Sequence, residues 1–161
     1  MKKLILILAI FSTFVFAQSS VEVLGTSTLH DWKMASESLE VSMAQENGKF
    51  TKLDVSMIIE TLKSGDSGLD DNAYEAMKID KYSTISFSLL EQKDDGSIVA
   101  LFKVLDKEQK KVLKPDLIED GHIAGSFKVK MTTFGIEPPS FLFGAMSAGN
   151  EITIKYDIRK P

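Results

Sequence analysis

The sequence predicts an all-β protein, an antiparallel barrel of about eight strands with one short helix. Three observations carry that expectation. Apolar and polar residues alternate with period two in run after run, the pattern of a strand with one buried face. Asn-Gly and Asp-Gly pairs separate neighbouring runs, as in tight hairpins. A single stretch near the middle switches to helical spacing. The chain has 161 residues, enough for one domain with its own core. A two-sheet sandwich is the alternative arrangement for the same strands.

Residues 1–17 stand apart. Lys2 and Lys3 precede an apolar run from Leu4 to Phe16, and Val15-Phe16-Ala17 places small residues before Gln18. This is the pattern of a secretory signal peptide cleaved after Ala17. The run is shorter than the roughly 18–20 residues that span a bilayer, so no membrane span is expected after cleavage. Residues 18–161 then form the one folded domain, periplasmic or secreted. The formal charge of −4 becomes more negative when the two lysines leave, so a nucleic-acid partner is not expected. There is no Cys, which excludes disulfides, thiolate metal sites and a Cys nucleophile. With His30 and His122 the only histidines, no metal site and no cofactor are expected.

Val21 and Val23 flank Glu22 and begin the first strand. Leu39, Val41 and Met43 alternate with Glu40 and Ser42. Leu53, Val55 and Met57 alternate with Asp54 and Ser56, and Asn47-Gly48 between the two runs predicts a hairpin. In the stretch Leu69 to Ile79, Leu69, Ala73, Ala76 and Met77 fall on one helical face. Asp70 and Asp71 lie at its positive end and Ser67 is the expected N-cap. Ile85, Phe87 and Leu89 alternate with serines. Ile98 to Val104 is apolar throughout and is expected to be covered on both faces. Asp95-Gly96 and Asp120-Gly121 repeat the turn signal, and the lysines from Lys107 to Lys114 read as a solvated hairpin end. Phe127, Val129 and Met131, then Ile152, Ile154, Tyr156 and Ile158, complete the alternating runs.

Catalysis finds little support. Ser27, His30 and Asp31 are too close in sequence to form a triad, and no nucleophile elbow exists. Asp66, Asp70, Asp71 and Asn72 lack the spacing of a calcium loop and fit a helix start better. The informative feature is the apolar strand face. Ile85, Phe87, Phe127, Val129, Ile154 and Tyr156 share it, and in a closed barrel it points inward. A barrel of about eight strands can be filled by such side chains or hold one small ligand.

Three segments together resemble the YceI-like family of exported lipid-binding barrels. They are Val21-Glu-Val-Leu-Gly-Thr-Ser-Thr-Leu-His-Asp-Trp32; Leu62-Lys-Ser-Gly65 with Leu69-Asp-Asp-Asn-Ala-Tyr-Glu-Ala-Met-Lys78 and Tyr82-Ser-Thr-Ile-Ser-Phe87; and Met131-Thr-Thr-Phe-Gly-Ile136 with Pro138-Pro139. Residues 97–118 depart from the pattern of the family, and Ser83 stands where many relatives have Pro. The resemblance implies a lipocalin-like barrel whose interior takes an isoprenoid chain, such as a polyprenyl phosphate or a quinone tail, and no catalytic residues. The expected ligand-binding residues are then His30 and Trp32 at one end, with Ile85, Phe87, Phe102, Phe127, Val129, Ile154 and Tyr156 along the interior. The partners expected are an isoprenoid or other lipid, with room left for a homodimer. The competing expectation is a structural or stress-response envelope module with a filled core that binds nothing.

Overall fold

A computed structural model describes residues 18–141 and 144–161. The expected signal peptide lies outside the described residues. Five strands form the first antiparallel sheet, in the order β2 (Trp32–Ser36), β1 (Ser20–Gly25), β12 (Glu151–Arg159), β9 (His122–Lys130) and β8 (Leu117–Glu119). Five more form the second, in the order β3 (Leu39–Glu46), β4 (Lys49–Ile58), β5 (Thr84–Gln92), β6 (Ile98–Val104) and β7 (Lys107–Leu113). A two-stranded hairpin joins β10 (Ser140–Phe141) to β11 (Met146–Ser147). Among the described residues the single α-helix, α1, spans Ser67–Ala76.

The mostly antiparallel β architecture matches the alternation, but the closed eight-stranded barrel does not appear. Twelve strands are present among the described residues, and the two five-stranded sheets share no ladder. Backbone bonding explains one seam. β2 and β3 are separated only by Glu37 and Ser38, yet Ala35 exchanges both backbone bonds with Lys63 at 2.8 Å. Lys63 therefore takes the free edge of β2 where β3 would have paired. At the other seam Pro115, which has no N–H, separates β7 from the three-residue β8. β7 itself was hidden in the lysine run. It is an edge strand in which Lys107, Lys110 and Lys111 guard the open backbone groups, rather than the end of a hairpin.

The turn chemistry holds throughout. Asn47 (φ 52°) and Gly48 (φ 78°) connect β3 to β4 with the two positive φ values of a I′ turn. Gly96 and Gly121 also have positive φ, between β5 and β6 and between β8 and β9. All three turns lie at one end of the molecule. There the Gln45 side chain crosses between sheets, donating to the Glu119 carbonyl (3.1 Å) and accepting from the Gly121 N–H (2.6 Å).

At the opposite end α1 covers the gap between the sheets. Its N-cap is Asp66 rather than Ser67: the carboxylate accepts from the N–H groups of Gly68 (2.8 Å) and Leu69 (3.1 Å). Asp preceded the expected position by one residue, and a carboxylate at a helix N-terminus gains from the dipole as well as from its bonds. Asp70, read as a first-turn acid, is buried and turns back to accept from the N–H and hydroxyl of Ser64 (2.8 and 2.7 Å). Burial opposes its charge, but the Ser64 bonds and the nearby Lys63 ammonium hold its carboxyl below the usual range. Tyr74 is buried on the same side and donates to the Leu62 carbonyl at 2.7 Å. These bonds fix α1 to the segment that leads into it.

Candidate functional site

Strand register builds the interior as layers, because residues directly opposite in antiparallel strands share a face. In the second sheet Val41 pairs with Val55, Val55 with Phe87, and Phe87 with Phe102. In the first sheet Met34 pairs with Val23, Val23 with Ile154, and Ile154 with Phe127. These two rows meet in the middle of the molecule. The Phe87 and Phe102 rings lie 5.1 Å apart, and Phe102 reaches across the sheets to Phe127, also at 5.1 Å. Tyr156 continues the chain of rings one step further down, 6.4 Å from Phe127.

The two sides of this aromatic layer differ. Towards the turn end the interior is filled: Phe50, Leu53, Ile98, Ala100, Ile123 and Ile158 pack together, each at most 4% exposed. Only a void of about 80 Å³ remains there, bounded by Phe102, Phe127 and Tyr156 among others. Towards α1 the interior opens into a cavity of about 580 Å³. Its walls come from both sheets and the helix, including Met34, Leu39, Val55, Met57, Ile85, Val129 and Ile152. Ile85, Phe87, Phe102, Phe127 and Ile154 all point inward and yet are only half-buried, because the cavity leaves part of each uncovered.

The helix forms one wall. Leu69, Asn72, Ala73, Ala76 and Met77 line the cavity, so the face set by helical spacing lies against the open space. Alanines at two of these positions keep that wall thin. The rim comes from the loop 26–31 and the β10–β11 hairpin. Thr28 donates its N–H to the Ser147 carbonyl (3.1 Å), and Gly149 donates to the Thr26 carbonyl (2.8 Å). Leu29 stands exposed on this rim.

The loop 26–31 also shows what its distinctive residues do. Ser27 Oγ donates to the His30 carbonyl (2.7 Å) and accepts from the N–H groups of Leu29 and His30 (both 3.2 Å). His30 Nδ1 lies 2.9 Å from the Asp31 carbonyl. The serine thus bonds the backbone of its own turn, not the imidazole. Trp32 donates from Nε1 to the Thr26 carbonyl (3.0 Å) and packs against Gly25, where a Cβ would overlap the indole. Gly25 is the glycine this loop requires.

Of the nine residues singled out from sequence, His30, Trp32, Ile85, Phe87, Phe102, Phe127, Val129 and Ile154 all line the large cavity. Tyr156 does not; it borders the small void beneath the aromatic layer. Its hydroxyl is buried without a hydrogen-bond partner among the described residues, and burial, with Asp116 nearby, raises its pKa to about 12. Sequence reasoning missed the helix wall and the methionines Met34 and Met57. The signal for the helix was present, but an apolar helical face reads as packing unless one knows what it faces. Among the described residues, His30 and Asp66 are the only ionisable ones lining the cavity, and neither Lys nor Arg lines it.

A family model for the YceI-like domain matches residues 12–159. The chain belongs to the YceI-like family. Solved structures share the fold. The Burkholderia cenocepacia protein BcnA superposes with a TM-score of 0.73 at 12% identity, covering 87% of this chain and 94% of that one. A polyisoprenoid-binding domain from Saccharophagus degradans, implicated in plant cell wall breakdown, gives 0.64 at 7% identity over 89% and 94%. The Campylobacter jejuni YceI protein gives 0.57 at 15% identity over 76% and 81%. No curated protein matches this YceI-like chain. Among its described residues no helix is long and apolar enough to cross a membrane.

Proposed function

We propose that the protein binds a long apolar chain, an isoprenoid or a similar lipid, inside the cavity and acts without catalysis. One observation carries this reading: an apolar strand face is left half-uncovered around a space of about 580 Å³ that opens at its rim. That volume lies within the range of small-molecule sites. Apolar surface held away from packing is costly, and a guest recovers about 0.8 kcal/mol for each methylene it withdraws from water. The family and the Saccharophagus neighbour support the same reading. His30, Trp32 and the inward residues from Ile85 to Ile154 would contact the guest.

The rim also favours one class of head group. A phosphate needs cations or clustered N–H donors nearby. The rim offers Ser27, Thr28, Asn72, Ser147, His30 and the acidic Asp66. A neutral head such as an alcohol or a quinone ring suits that set better than a phosphate. The chain is exported through residues 1–17 and works in the periplasm or outside the cell. Native mass spectrometry of protein purified from its own cell envelope tests the reading. A non-covalent adduct with the mass of a neutral prenyl lipid is expected. Bare polypeptide, together with no uptake of added prenyl alcohol, would support the filled, non-binding module.

A further inference from the structure

We propose that the Phe87–Phe102–Phe127 layer is a chain-length ruler: it stops the guest at mid-height and sets how many isoprene units the protein can enclose. The inference rests on the lipid-binding reading and adds a limit that the reading alone does not contain. Phe87, Phe102, Phe127, Val21, Val55 and Ile154 border both the large cavity and the small void, so they are the partition between the two. Phe102 is the central piece, in ring contact at 5.1 Å with Phe87 on its own sheet and with Phe127 on the other. The partition is one side chain thick there, because open space lies on both faces of the layer. Below the void the interior is close-packed around Phe50, Leu53 and Ile123, so a guest could extend no further than the void itself.

Volume gives the limit. At roughly 30 Å³ for a methylene-sized group, the share of one water in the liquid, the cavity holds on the order of twenty carbons, or about four isoprene units. Further units would protrude through the rim into water and gain nothing. Removing the Phe102 ring joins the cavity to the 80 Å³ void and adds the space of the ring, room for about one more unit.

The experiment uses all-trans prenyl alcohols of two to seven units, titrated against the mature protein. Trp32, the only tryptophan in the chain, lines the cavity and reports binding by its fluorescence. In the wild type, affinity should rise about tenfold or more per unit up to about four units and then level off. Phe102→Ala should move the break to about five units, and Phe102→Leu should move it less. If Phe102→Ala does not fold, Phe102→Leu carries the test alone. Affinity that climbs without a break, or a break unmoved in folded variants, would overturn the ruler while leaving lipid binding intact. No binding at any length would remove the lipid reading, and the ruler with it.

Discussion

Tyr156 illustrates how one atom can oppose the fold around it. Its hydroxyl is buried with no partner among the described residues, and Gly125 makes room for it, since a Cβ there would fall 2.6 Å from the oxygen. An unsatisfied buried hydroxyl costs roughly 1–3 kcal/mol. Tyr156→Phe is therefore expected to leave thermal stability unchanged or to raise it by up to about 2 kcal/mol at neutral pH. The pH dependence follows from the raised pKa. The folded protein keeps the phenolic proton up to about pH 12, whereas the unfolded chain loses it near 10, so stability falls as pH rises through that interval. Urea melts of the wild type should show this alkaline loss, and melts of Tyr156→Phe should lack it. Gly25 makes the opposite case, a small residue on which a large one depends. Gly25→Ala should displace the Trp32 indole, cost about 1–3 kcal/mol, and shift the emission of the single tryptophan to the red. Unaltered emission would mean that the ring does not lie on the glycine.

Elements were legible in the sequence where one local rule decided them. Asn47-Gly48 required a tight turn whatever surrounded it, and the Ile152–Ile158 alternation could be nothing but a half-buried strand. β7 was hidden because its lysines serve an edge, a role that depends on the neighbour being absent on one side. Sheet closure was misread for the same reason: Lys63 occupies the edge of β2 from a segment 28 positions along, and no local pattern announces that contact. The inward faces were readable from alternation, but not whether they meet. Phe102 touches Phe127 across the sheets while Ile85 faces open space, and both belong to the same kind of run. α1 offers a test at this scale. Asp66→Ala removes the bonds to Gly68 and Leu69 and should cost about 1 kcal/mol. Because α1 walls the cavity, hydrogen exchange should quicken first in residues 67–76, ahead of the sheets. Uniform quickening across the molecule would show that the helix does not open on its own. Asp70 adds a pH dependence there: its lowered pKa stabilises the helix above the ordinary carboxylate range, and that contribution is lost as acid protonates it.

The whole molecule is divided by height. One half is a packed β-sandwich that supplies stability, and the other is a cavity that the same sheets hold open. The two expectations drawn from sequence, hollow or filled, each describe one half. Stability should accordingly come from the filled half. Leu53→Ala and Ile123→Ala, both at sites only 2% exposed, should each cost about 2–5 kcal/mol in chemical denaturation. Ile85→Ala, on the cavity wall, should cost much less, since its side chain is half-uncovered already. Equal losses at all three sites would contradict the division. At this scale too belongs the expected export, which predicts a mature N-terminus at Gln18; an intact Met1 in an integral membrane fraction would refute it.

The most direct test of the central claim fills the cavity from its wall. Ile85→Trp places a large apolar side chain into the open half, away from the packed cluster around Phe50 and Leu53. Prenyl alcohol affinity of this variant, measured by competition against a fluorescent lipid and set beside its melting temperature, decides between guest and filler. A cavity that receives a lipid predicts at least tenfold weaker binding with nearly unchanged melting. Unchanged lipid affinity, with the loss of about 1–3 kcal/mol expected when a packed core is overfilled, would contradict it.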